Sequence, residues 1–159
     1  MMAKLSEASK AVLMFEFGGR EYRLSPLDYK DLGELERWVE TLPYERARRK
    51  LEALGDMATP EIKTQIIADA EAIAQTSGVE SATYVRAIAT LTGTAYCLYL
   101  CLRHEHPDIT RDIAASIVTI DKLVEWQERI DRVSGLAPTE DEVRPTDGAD
   151  SQTPPSTTQ

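Results

Sequence analysis

Apolar strand formers crowd VLMFEF ahead of a Gly-Gly pair and a more polar REYRL, and beyond Ser25 the apolar positions recur every three or four residues instead. Val12 to Phe17 is rich in strand formers, and Gly18-Gly19 is a two-residue hairpin signal. A two-residue loop pairs Phe17 with Arg20, Phe15 with Tyr22 and Leu13 with Leu24. Leu13, Phe15, Phe17, Tyr22 and Leu24 then share one face, with Met14, Glu16, Glu21 and Arg23 on the other. Glu16 falls opposite Glu21, a mildly unfavourable like-charge pair. An isolated hairpin is marginal in water, so this one must dock on helices or pair with another chain.

Ser25-Pro26 reads as a helix cap followed by a first-turn proline, with Asp28 three residues after the cap. Leu32, Leu35, Trp38, Val39 and Leu42 form the first stripe, which Pro43 ends or kinks. Tyr44, Ala47, Leu51 and Leu54 carry the next, up to Gly55. Thr59-Pro60-Glu61 repeats the cap signature and opens a helix through Ile62, Ile66, Ala70 and Ile73. One long helix is expected from Ser81 to His104, with Tyr84, Ile88, Leu91, Ala95, Leu98 and Leu102 on its stripe. Its AYCLYLCL run is apolar nearly all round, the mark of a central helix. A short helix holding Ile113, Ala114, Ile117 and Val118 is capped by Asp108 or Thr110. A last helix, capped by Thr119 or Asp121, turns Ile120, Leu123, Val124, Trp126, Ile130 and Val133 inward and stops at Gly135.

The expected fold is mainly α: a small N-terminal β-hairpin, about residues 11–24, packed on a bundle of about six helices in one domain spanning 1–136. Residues 137–159 hold four of the eight prolines and almost no large apolar side chain. Such a segment cannot bury enough surface to offset its ordering entropy, and it is expected to be a disordered tail. Five acids against Arg144 give that tail −4 of the formal charge of −9. The acidic balance argues against a broad nucleic-acid or anionic-membrane surface. No segment reaches the roughly 18–20 apolar residues of a membrane span, and the first residues lack a signal-peptide pattern. A cytoplasmic protein is the expectation.

Catalytic constellations are missing: there is no GxGxxG, P-loop or GxSxG pattern. His104 and His106 are two apart, so they leave a helix in different directions, and capping or surface roles are expected for them. Cys97 and Cys101 lie one turn apart among Tyr and Leu and read as core. The one basic concentration, Arg46 to Lys50, is expected to be a solvated face with Glu45–Arg49 and Arg48–Glu52 pairs; the alternative is a site for an acidic partner, the chain's own acidic tail included. Glu34, Glu36 and Glu40 are placed on the outer face of the first helix, and nothing supports general acid–base work. No catalytic, cofactor or metal residue is assigned, and no enzymatic activity is expected. Phe15, Phe17, Tyr22 and Trp38 are the candidate protein-interface anchors, because aromatics dominate interface energetics; the competing reading places all four in the intramolecular core.

Two stretches carry a resemblance. Gly19-Arg20-Glu21-Tyr22-Arg23-Leu24 followed by Asp31-Leu32-Gly33-Glu34-Leu35-Glu36 resembles the opening of tail assembly chaperones of long-tailed phages and prophages. The phrase Leu102-Arg103-His104-Glu105-His106-Pro107-Asp108-Ile109-Thr110, between an apolar helix and a short one, is similar to that family's ending. The resemblance implies a non-catalytic, self-associating protein that coats the tape-measure protein and helps recruit tail-tube subunits. In many such systems a frameshifted longer form supplies the tube-recruiting domain. It also implies a place in the host cytoplasm and absence from the finished virion. The alternatives are a small phage connector protein or a bacterial adaptor module.

Overall fold

The computed structural model describes residues 13–78 and 81–135, so the tail expected over 137–159 lies outside the described residues. Strands β1 (Leu13–Phe17) and β2 (Arg20–Leu24) pair antiparallel in the expected register, Glu16 opposite Glu21 included. Gly18 and Gly19 both take positive φ, 59° and 75°, as the tight turn between right-twisted strands requires. Tyr22 and Leu24 are buried, and Leu13 and Phe15 pack against the same core.

Helix α1 (Tyr29–Leu54) begins later than the sequence pattern suggests, because the Ser25 N–H donates to the Cys101 carbonyl at 3.0 Å and holds that stretch extended along the bundle. Asp28 is the cap instead: its carboxylate accepts from the Asp31 N–H at 2.8 Å, and Asp31 accepts from the Asp28 N–H at 3.0 Å. Nor does Pro43 end the helix, which runs through it over 26 residues in all, Tyr29 to Leu54. Pro43 is buried beside Ile66 and Ala70 of α2 (Pro60–Gln75), and that packing offsets a proline penalty of about 3 kcal/mol.

Thr59 caps α2 as expected, accepting from the Ile62 N–H. Its stripe is only half buried, however. Ile66 and Ala70 face α1, whereas Ile62 and Ile73 are 40% and 45% exposed, as is Tyr44 at 47%. Helix α2 packs chiefly on α1, and a two-helix pair has too little surface to enclose a wide stripe.

The expected long helix is two. Helices α3 (Ala82–Ile88) and α4 (Leu91–Arg103) meet at a bend of 76°. Thr90 makes the corner: its hydroxyl accepts from the Gly93 N–H at 3.0 Å and donates to the Ala87 carbonyl at 2.7 Å. The Thr94 hydroxyl donates to the Ile88 carbonyl at 3.2 Å. The close approach needs glycine at 93, where a Cβ would lie 2.6 Å from Ile88 Cα. The corner breaks the helical phase, so Leu91 is exposed rather than inward, and its neighbour across the corner, Val85, is exposed too.

Helix α4 is central, with Gly93 to Leu98 and Leu100 to Leu102 buried among β2, α1, α3, α5 (Arg111–Ile117) and α6 (Leu123–Ser134). Thr110 caps α5. A single 3-10 turn, Ile120–Lys122, precedes α6. That turn rotates Ile120 outward, and Ile120 and Val124 are 82% and 65% exposed, while Trp126, Ile130 and Val133 are buried. Among the described residues no single helix is long and apolar enough to cross a membrane.

Candidate functional site at the hairpin junction

The start of α1, the end of α4 and strand β2 converge on one polar junction. The Asp31 side chain is fully buried. Its Oδ1 accepts from Arg103 Nη2 at 2.5 Å, and its Oδ2 lies 2.7 Å from His104 Nε2. One turn along α1, Glu34 accepts from Arg103 Nη1 at 2.8 Å and from the Tyr96 hydroxyl at 3.0 Å. Arg111 donates to that hydroxyl at 3.0 Å and lies over the Tyr96 ring. Glu34 is therefore not on an outer face: it is half-buried in this network.

His104 caps the end of α4 and is exposed, as expected, and His106 is half-buried; both also connect elements. His106 Nε2 accepts the Arg23 backbone N–H at 2.9 Å, and its ring meets Tyr22 edge-on at 5.2 Å. With the Ser25–Cys101 bond, these contacts cover the outer edge of β2. At the hairpin tip, Arg20 donates two bonds to Asp108, at 2.6 and 3.0 Å.

Ionisation follows the contacts. Burial alone would raise the Asp31 pKa, but the Asp28 N–H, His104 and Arg103 together bring it below the ordinary carboxylate value. Glu34 is lowered likewise against its own burial, by Arg103 and Tyr96. Tyr96 is pushed up to about 12 by burial and by its bond to Glu34. Asp28, Asp31 and His104 place three potential ligand atoms within 4.8 Å of one another. Both Asp31 oxygens are already engaged and the Arg103 guanidinium sits alongside, so the group is an ion-pair lock and no metal is assigned to it.

The four candidate anchors separate. Phe15 stacks on Tyr22 at 5.4 Å and meets Trp126 edge-on at 4.7 Å, so these two anchors belong to one intramolecular aromatic cluster. Phe17, at the hairpin tip, is 38% exposed. Trp38 is on another side, 5.0 Å from the Tyr96 ring. It lines two adjoining hollows of about 270 and 250 Å³, one with Leu91, Tyr96 and Arg111 and the other with Leu42, Arg46 and Arg49. A third hollow, of about 400 Å³, runs beside β1. Trp126 belongs to that wall; its spacing in the sequence is that of any buried helical residue and points only to core. The Glu45–Arg49 and Arg48–Glu52 pairs form as expected on the exposed face of α1. No family model, curated protein or solved structure matches the chain.

Proposed function

We propose that the chain is a tail assembly chaperone of long-tailed phages or prophages, a non-catalytic protein that binds the tape-measure protein and helps recruit tail-tube subunits. The observation that carries this reading is where the resembling phrases sit. Tyr22 and Arg23 of the first meet His106 of the last, and Asp31 and Glu34 of the second meet Arg103 and His104. The two resembling stretches, more than 60 residues apart in sequence, thus meet at one junction. The apolar positions left outward on α2, at the hairpin tip and before α6 supply the surface that client binding and self-association need. In this reading the protein acts in the host cytoplasm as an oligomer and leaves before the virion is complete.

The test is a pull-down of the tagged chain from cells that also express its neighbouring genes, with mass spectrometry of the captured proteins. Recovery of a very long, helix-rich protein is the expected result. Recovery of a portal component or a regulator in its place, or of the chain alone, would overturn the proposal.

A further inference from the structure

In a hairpin closed by a two-residue loop, the pairs 17–20, 15–22 and 13–24 exchange the ladder hydrogen bonds. The backbone groups of Met14 and Glu16 on β1, and of Glu21 and Arg23 on β2, therefore point away from the partner strand. The two edges differ. The β2 edge is covered, Arg23 donating to His106 and Ser25 to Cys101. The β1 edge is bare: no backbone partner for Met14 or Glu16 occurs outside the hairpin among the described residues. A bare edge is normally short, charged or covered, because it is a template for another strand.

Beside this edge runs the trough of about 400 Å³, its far wall made by Thr119, Lys122, Glu125, Trp126 and Arg129. The Trp126 indole N–H is buried without an acceptor, the one such side-chain atom among the described residues. A buried donor without an acceptor is uncommon and costly. Exposed apolar side chains stand around the trough or next to its walls in the chain: Met14, Phe17, Ile120 and Val124.

We infer that the trough receives an extended segment of a partner protein, which adds to β1 as a third strand. Its backbone pairs with the Met14 and Glu16 groups, alternate apolar side chains meet Phe17 and Ile120, and a small shift of the Trp126 ring brings its buried N–H to a carbonyl of the segment. The trough is walled on both sides, so it suits a lone extended segment better than the edge of a second folded copy. The charges that line it, Glu16 and Glu125 against Lys122 and Arg129, balance, which favours a segment of little net charge. This inference holds whichever protein supplies the strand, so its failure and that of the tail-assembly reading are separate results.

The experiment uses the full chain, labelled with ¹⁵N. The probe is an acetylated and amidated pentapeptide of alternating threonine and valine. Trp38→Phe distinguishes the two indole signals. Saturable shifts of the Met14 and Glu16 amides and of the Trp126 indole are expected. Binding should weaken at least about tenfold when the peptide amides that face β1 are methylated, which removes the ladder donors. Glu16→Pro should weaken it as much, since an outward-facing edge N–H is where a strand tolerates proline. Absence of these shifts at millimolar peptide overturns the inference, as does equal binding of the methylated peptide. Trough signals that change on dilution, or on removal of residues 136–159, overturn it in favour of a second copy or the chain's own tail.

Discussion

Replacing Gly93 by alanine tests the corner that sets α4 in the middle of the fold. In an ordinary helix interior this change gains about 1 kcal/mol. Here the new Cβ would fall on the Ala87 carbonyl oxygen, 2.6 Å from Ile88 Cα and 2.8 Å from the Ile88 oxygen. All three are main-chain atoms, so no rotamer change relieves the contact. The chain must open the 76° bend, and opening strains the Thr90–Ala87, Thr94–Ile88 and Gln127–Ala89 hydrogen bonds. Each such bond contributes about 1 kcal/mol net, and overpacking alone costs about 1–3 kcal/mol. The expected balance is a loss of about 3 kcal/mol, or roughly 10 °C in Tm for a domain of this size. Gly33→Ala is the control, because nothing lies within 4 Å of that position inside α1. It should stabilise by about 0.5–1 kcal/mol. Urea unfolding followed by far-ultraviolet circular dichroism measures both. A Gly93→Ala protein within about 0.5 kcal/mol of wild type would refute the argument that the bend depends on a missing Cβ.

Asp31→Ala leaves Arg103 and His104 without their buried partner and should cost about 3 kcal/mol in the same assay. Because the folded pKa of Asp31 is lowered, its contribution is fully present above the ordinary aspartate range and is lost as pH falls through the lower folded value; the acid limb of stability against pH should be shallower in Asp31→Asn. Asp108, held down to about 2 chiefly by its bond to Arg20, should titrate there by carbon-detected NMR and return toward the usual range in Arg20→Gln. Burial pushes the Cys97 thiol up to about 12 and raises that of Cys101 as well, so neither should react quickly with a thiol reagent at neutral pH until the protein unfolds.

Local signals carried the hairpin, its register and the Thr59 and Thr110 caps, because each depends on a few adjacent residues. The α3–α4 corner stayed hidden because an unbroken apolar stripe outweighed the one cap signal there, the Thr90 hydroxyl. Pro43 misled in the opposite direction: its local penalty is real, but burial against α2 decides. The polar junction was least legible. Nothing in the spacing of Asp31, Glu34, Arg103 and His104 shows that the end of one helix meets the start of another some 70 residues away. For the same reason Phe15, Tyr22 and Trp38 could be ranked as aromatic anchors without knowing which neighbours they would find.

Co-expression of this chain with the products of its neighbouring genes tests the chaperone reading most directly, with the mass of the soluble material measured by size-exclusion chromatography and light scattering. The expected result is that a long, helix-rich protein among them precipitates when made alone and elutes in a soluble complex with several copies of this chain when the two are made together. Precipitation of the long protein while this chain elutes free would contradict it.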